Sequence, residues 1–218
     1  MIGVDTTAVR LMKYKDTLKK LKSLGLVKVF SDNLADSIGV SPSLVRKDFS
    51  LFGISGYKRG GYNIEELLLK LNHILGRDGI HKVVIVGAGR LGITLANYKG
   101  FADDYLSIIA MFDNNPEKLN SNATIPVLHV DGLRKYIVDN GVTIGILTVP
   151  DDAAQRTADM MILGGVRGIL NFAPVQIRAP KHCIVSSVNL ELELDNLMFL
   201  VNSCVKAEQK RVSAGVQA

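Results

Sequence analysis

The chain has 218 residues, of which 47% are hydrophobic and 22% charged, and its formal net charge is +5. That is enough apolar material for a core in one large domain or two small ones, with a charged fraction ordinary for a globular protein. No apolar run reaches the roughly 18 residues a spanning helix needs, so no membrane segment is expected.

The first residues carry Arg10, Lys13 and Lys15 with no apolar stretch, so they do not form a secretory signal. Cys183 and Cys204 are too few and too far apart for a disulfide framework or a zinc site, and both are expected to be buried and reduced. The expectation is a cytoplasmic protein with no metal and no membrane partner. Its charge is uneven. Residues 1–80 hold 13 Lys+Arg against 8 Asp+Glu, a net of +5, while residues 81–218 hold 13 of each. A basic front half joined to a neutral rear half suggests a polyanion partner for the first. A basic surface with no partner is the plainer alternative.

Ala8 to Leu24 places Leu11, Tyr14, Leu18, Leu21 and Leu24 at helical spacing, and Gly25 is a natural stop. Leu26 to Phe30 is a short strand or an extended link. Ser31 to Ile38 is a short helix with Ser31 as N-cap candidate, followed by a turn at Gly39-Val40. Ser41 caps a second helix with Pro42 at its first position, running on through Ser43, Leu44, Val45, Arg46, Lys47, Asp48 and Phe49. Two short helices around a glycine turn form a helix-turn-helix pattern. Leu34, Ala35, Ile38, Val40, Leu44 and Val45 would pack inside it. Ser41, Pro42, Ser43, Arg46 and Lys47 would meet DNA at the start of the second helix. A solvated helix face is the alternative for the two cations.

Gly53 to Tyr62 holds four glycines, with Lys58-Arg59 between two tyrosines. It reads as a hairpin wing whose cations reach phosphates or a narrow minor groove, or else as a simple surface turn. Ile64 to Leu75 is an apolar helix capped by Asn63 and stopped by Gly76, and Arg77 to Ile80 is the expected hinge.

Val83-Val84-Ile85-Val86 then runs into Gly87-Ala88-Gly89-Arg90-Leu91-Gly92 and a helix-forming segment. A continuous apolar run suits a parallel strand buried on both faces. In a G-x-G-x-x-G turn, Gly87 permits the bend, Gly89 admits a diphosphate, and Gly92 lets helix and strand pack closely. The diphosphate would sit on the free N–H groups at the helix start. Ile108 to Phe112 is the second strand, and Asp113 closes it 24 residues after Gly89. An acid there accepts from both ribose hydroxyls of an adenosine and repels a 2′-phosphate, which favours NAD(H). A sheet of this kind that binds nothing is the alternative. Lys118 is a ribose neighbour or a surface lysine.

Further strands are expected at 125–128, 142–149 and 167–172, alternating with helices at 132–140 and 151–163, the last capped by Asp151 or Asp152. That order gives a doubly wound parallel sheet. Thr148, Val149 and Pro150, with Asn171 to Pro174 (including Ala173), would line the nicotinamide side beyond the strand ends. No catalytic set is evident. Tyr-x-x-x-Lys is absent from the sequence, and His129 and His182 have no obvious acid partner. Leu194, Leu197, Met198, Val201 and Val205 form a stripe on a C-terminal helix that needs a groove on its own subunit or on a partner.

As an ordered set, Leu34-Ala35 through Ser41-Pro42, Val45 to Asp48, Phe52-Gly53, Gly61-Tyr62-Asn63, Val86 to Gly92, Ala96-Asn97-Tyr98, Phe112-Asp113, Thr148-Val149-Pro150 and Asn171 to Val175 resembles the Rex family of redox-sensing transcriptional repressors. The resemblance spans nearly the whole chain. It implies an α/β protein with an N-terminal winged helix-turn-helix (1–78), a Rossmann domain (79–188), and a C-terminal dimerisation helix and tail (189–218) swapped between subunits. It also implies a homodimer on a roughly palindromic, A·T-rich double-stranded operator, released by NADH and permitted by NAD, with Tyr98 a cofactor-site residue that helps couple the nicotinamide state to subunit orientation. Family members usually carry an arginine where this chain has Asp16, an aspartate where it has Asn189, and Arg-Gly where it has Lys58-Arg59. The first two changes fall in the network that couples the nicotinamide to subunit orientation. From the residues alone, an NAD-dependent oxidoreductase with a basic accessory domain is the alternative, and the changes at Asp16 and Asn189 add a third reading, a redox-insensitive DNA-binding protein that keeps nucleotide for structure.

Overall fold

A computed structural model describes residues 6–56, 60–77, 79–101 and 105–215, and the chain divides into two compact units, Met1–Ile80 and His81–Ala218. The wing cations Lys58 and Arg59 lie outside the described residues.

The first unit is built from α1 (Thr6–Ser23), β1 (Lys28–Val29), α2 (Ser31–Ile38), α3 (Pro42–Leu51), β2 (Tyr62–Asn63) and α4 (Ile64–Ile74). Its core joins Leu11, Tyr14 and Leu18 of α1 to Leu34 and Ala35 of α2, Val45 and Phe49 of α3, and Ile64, Leu67 and Leu71 of α4. The helix ends follow local chemistry. Ser41 Oγ accepts from Leu44 N–H with Pro42 beside it, and Asn63 Oδ1 accepts from the N–H groups of Glu65 and Glu66. Gly25 and Gly39, both at positive φ, follow α1 and α2.

Three expectations change here. The cap of α2 is Phe30, and Ser31 is the first helical residue, because Asn33 Oδ1 reaches back to the Phe30 N–H. The wing strand β2 pairs antiparallel with β1, Lys28 opposite Asn63 and Val29 opposite Tyr62, rather than with the chain just before it. Leu24 lies beyond α1 and is exposed, whereas Lys15 is buried.

The second unit contains β3 (His81–Val86), α5 (Arg90–Ala96), β4 (Leu106–Asp113), β5 (Val127–His129), α6 (Leu133–Asn140), β6 (Ile144–Leu147), α7 (Asp151–Gly164), β7 (Gly168–Asn171), β8 (Ile184–Ser187) and α8 (Leu190–Gly215). The six strands form one sheet in the order β5-β4-β3-β6-β7-β8, and every pair is parallel. The connection reverses direction between β3 and β6, which leaves a crevice at their carboxyl ends. Val84 and Val86 face a core closed by α6 and α7, and Val83 and Ile85 face one that includes Leu95 and Ala96 of α5. This explains why β3 is apolar at consecutive positions.

Of the two cysteines, Cys183 is buried and its thiol is pushed up by desolvation, but Cys204 is exposed. It stands on α8, whose described large apolar side chains are themselves exposed. Pro150, not an aspartate, occupies the cap of α7, and the Asp151 carboxylate accepts from the Asp152 N–H. Among the described residues, no helix is long and apolar enough to cross a membrane, and no cluster of three potential metal ligands occurs.

Candidate functional site

In the first unit the exposed face of α3 carries Ser43, Arg46 and Lys47, with Ser41 exposed at its cap and Pro42 half-buried. Val45, Asp48 and Phe49 point inward. The helix therefore presents hydroxyls and two cations on one side while its opposite side is held in the core. Its tie to α1 is an element that the residue pattern did not reveal. Arg10 donates from Nε to Asp48 Oδ2 at 2.7 Å and from Nη2 to Oδ1 at 2.6 Å, and the Tyr14 hydroxyl donates to Oδ2 at 3.0 Å. The guanidinium bonds outweigh burial and hold the Asp48 carboxyl below the usual carboxylate range. The Tyr14 phenol is pushed up to about 12, first by burial and then by its bond to Asp48.

In the second unit a cavity of about 720 Å³ opens at the carboxyl ends of the central strands. It is lined by Val86, Gly87 and Gly89 from β3 and its turn, by Phe112, Asp113, Asn114 and Lys118 from β4 and beyond, and by His129, Val130 and Asp131 after β5. Thr148, Val149 and Pro150 close it from β6, with Asp152, Ala153, Arg156, Thr157 and Met160 of α7. The size is within the range of small-molecule sites.

The three glycines differ in their surroundings. Gly87 has φ +108°, and a Cβ there would lie 2.5 Å from the Thr148 carbonyl oxygen. A Cβ on Gly92 would overlap the Gly87 carbonyl oxygen, so helix and turn touch there. A Cβ on Gly89 would meet nothing within 4 Å, which leaves its backbone open on the cavity side. Thr148 Oγ1 braces the turn by donating to the carbonyls of Val86 and Gly87 at 3.1 and 2.8 Å.

Asp113 Oδ2 accepts from the Ala88 N–H at 2.8 Å and from Lys118 Nζ at 2.9 Å, and Oδ1 accepts from the Asn115 N–H at 2.9 Å. Burial raises this carboxyl, but those three donors prevail and leave it lowered. A carboxylate has about four acceptor sites. Three described donors reach Asp113, and one of them, Lys118, is itself partly exposed and faces the same cavity. The residues fit the adenosine end of a dinucleotide: an open glycine turn, a buried acid and an apolar wall.

The cavity brings Thr148, Val149 and Pro150 together with Asp113 and Lys118. It does not reach Arg90, Leu91, Tyr98, Asn171, Ala173 or Pro174. Asn171 is fully buried. Its amide donates to the carbonyls of Ala173 and Val175, and its Oδ1 accepts from the Ala173 N–H, so it fastens its own loop. Pro174 and Arg90 are exposed, and Tyr98 is exposed with its ring edge-on to Phe101. His129 does have an acid partner, the Asp131 carboxylate 3.2 Å from Nδ1. The α7 contribution was absent from the residue-level reading, although 152/153, 156/157 and 160 fall on one helical face directly after the β6 loop. Asp16 is exposed, and Asn189 accepts the Leu192 N–H as a cap for α8.

Two family models match the chain: "CoA binding domain" over residues 78–175 and "Putative DNA-binding protein N-terminus" over residues 5–50. The "Redox-sensing transcriptional repressor Rex" of Desulforamulus reducens is 38% identical over 196 residues, 89% of this chain and 93% of that protein. The protein of the same name from Listeria welshimeri is 38% identical over 204 residues, 93% of this chain and 95% of that one. Among solved structures, RSP in complex with β-NAD+ and operator DNA superposes with a TM-score of 0.88 at 32% identity, covering 97% of this chain and 98% of RSP. RSP in complex with β-NADH gives 0.81 over 96% and 99%.

Proposed function

The chain belongs to the Rex family of redox-sensing transcriptional repressors, and from that membership we propose a homodimeric, cytoplasmic repressor that binds operator DNA and lets go when NADH replaces NAD+ in its Rossmann unit. The observation that carries this reading is the full-length match to a repressor whose structure holds both NAD+ and operator DNA. The relatives are repressors, which sets the oxidoreductase alternative aside.

In this reading residues 1–78 bind DNA through Ser41, Pro42, Ser43, Arg46 and Lys47, with Lys58 and Arg59 in the wing. Residues 79–188 hold the coenzyme. The turn from Gly87 to Gly92 takes the diphosphate, and Asp113 and Lys118 take the adenosine end. Thr148, Val149, Pro150, Tyr98, Asn171, Ala173 and Pro174 stand on the nicotinamide side, Asn171 by holding its loop in shape. Residues 189–218 dimerise. Switching follows from linkage: NADH must bind the weak-binding dimer more tightly than the strong-binding one. Half-sites are about 34–36 Å apart, so a small rotation between subunits misplaces one recognition helix.

Asp16 and Asn189 favour one second reading, a DNA-binding protein that keeps nucleotide without responding to its oxidation state. One titration separates the two. A labelled duplex enriched by the protein from a randomised pool is bound in NAD+, and NADH is then added. Release by NADH and not by further NAD+ supports the redox repressor. Retention in both, with coenzyme bound, supports the second reading. In the same assay Lys47→Ala is expected to weaken binding and lower the salt slope by about one.

A further inference from the structure

Asp48 follows Lys47 directly in α3, yet it is only 1% exposed while Arg46 and Lys47 face solvent. All its described side-chain hydrogen-bond donors come from α1: the two-pronged Arg10 guanidinium and the Tyr14 hydroxyl. Arg10 is steadied in turn by Thr7 Oγ1, which accepts from Nη2 at 3.2 Å. A planar fork on a carboxylate fixes direction as well as distance. The helices also meet through apolar packing, with the Tyr14 ring edge-on to Phe49 at 5.4 Å, a contact that tolerates small rotations far better. A buried ion pair is a poor source of net stability, because desolvation offsets attraction, and its best-attested use is to fix register. It also settles the local field. With Arg10 removed, Asp48 would stand as an unpaired negative charge beside Lys47, on the helix that must meet a polyanion.

We infer that Arg10 and Tyr14, acting through Asp48, are positioning residues that set the rotation and register of α3 so that its exposed face reads base edges and does not merely touch phosphates. This rests on the DNA-binding reading above. Recognition helices specify sequence only when their side chains reach the groove in fixed orientation, whereas phosphate attraction survives misorientation. The pair should therefore govern the ratio of specific to non-specific affinity.

The test uses the full chain with NAD+, the duplex that the wild type enriches from a randomised pool, and a mixed-sequence duplex of equal length. Affinities are read by fluorescence anisotropy, and folding by circular dichroism and melting. For Asp48→Asn, affinity for the enriched duplex is expected to fall about tenfold or more, the scale of one lost base pair of specificity, with mixed-sequence affinity within about twofold. Arg10→Lys keeps the charge without the fork and is expected to fall in between. If Asp48→Asn does not fold, the double variant Arg10→Met with Asp48→Leu, an apolar pair in the same space, decides by the same ratio. A folded variant whose ratio equals that of the wild type, or whose two affinities fall in step, overturns the inference. A wild-type chain that enriches no duplex sinks the DNA-binding reading itself, and this inference with it.

Discussion

Burial alone would push the Asp113 carboxyl up, but the Asn115 N–H, the Lys118 ammonium and the Ala88 N–H together hold it down. The Ala88 bond makes the acid a clasp on the glycine turn as well as the proposed ribose acceptor. Asp113→Asn would turn an amide NH₂ toward one of those donors. We expect NAD(H) affinity to drop about tenfold or more, as hydrogen bonds to charged groups are worth about 1.5–3 kcal/mol. Calorimetric titration checks it, and unchanged affinity would remove Asp113 from the site. In the first unit the alkaline limb of stability depends on Tyr14. Its folded pKa of about 12 lies above the ordinary phenol value, so its contribution is complete below about 10 and lost as pH rises toward 12. Asp48 has the opposite sign: its carboxyl is lowered, so its contribution is present above the ordinary carboxylate range and lost as pH falls through its folded value. Tyr14→Phe is expected to cost about 1.5–3 kcal/mol at neutral pH and to flatten the stability curve between pH 10 and 12. Denaturant midpoints across that window report it.

The Gly92 contact joins α5 to the turn it follows, so the element and the site fail together. Gly92→Ala would drive a methyl into the Gly87 carbonyl oxygen, with Thr148 Oγ1 3.0 Å away. Overpacking of this kind costs about 1–3 kcal/mol, and we expect a lower melting temperature together with weaker NAD(H) binding. Gly89→Ala meets no protein atom, so it should spare the melting temperature while weakening binding. What the residue pattern conveyed follows the same division. β3, α3 and the glycine turn were legible because each has a local rule: apolar run, Ser-Pro cap, spaced glycines. The β1–β2 pairing was hidden, since two-residue strands have no periodicity. Asp48 and Lys15 were hidden because a charged residue in a helix normally faces water, and only the fold supplies an inward partner such as Arg10. The bonds by which Asn171 fastens its loop were hidden for a related reason, since only the fold brings the Ala173 and Val175 carbonyls to its amide.

At the scale of the whole molecule, α8 is the unfinished part. Nine described apolar side chains between Leu190 and Val205 remain 43–68% exposed. Leu190, Leu194, Leu197, Met198, Val201 and Val205 run along one side, while Leu192 and Phe199 point elsewhere, so one groove would still leave part of this surface wet. Apolar surface so extensive marks an interface, and a second copy of the chain offers matching surfaces related by symmetry. None of the described fully buried core residues comes from α8, so both units should fold without it. Ending the chain at Asn189 is therefore expected to give a folded monomer by sedimentation velocity that still binds NAD(H). Operator affinity should fall about 10²–10⁴-fold, because two tethered recognition helices gain from effective concentration what one alone cannot. A truncated chain that still sediments as a dimer would place the subunit contact elsewhere, and one that is monomeric yet binds the operator undiminished would show that a single α3 suffices.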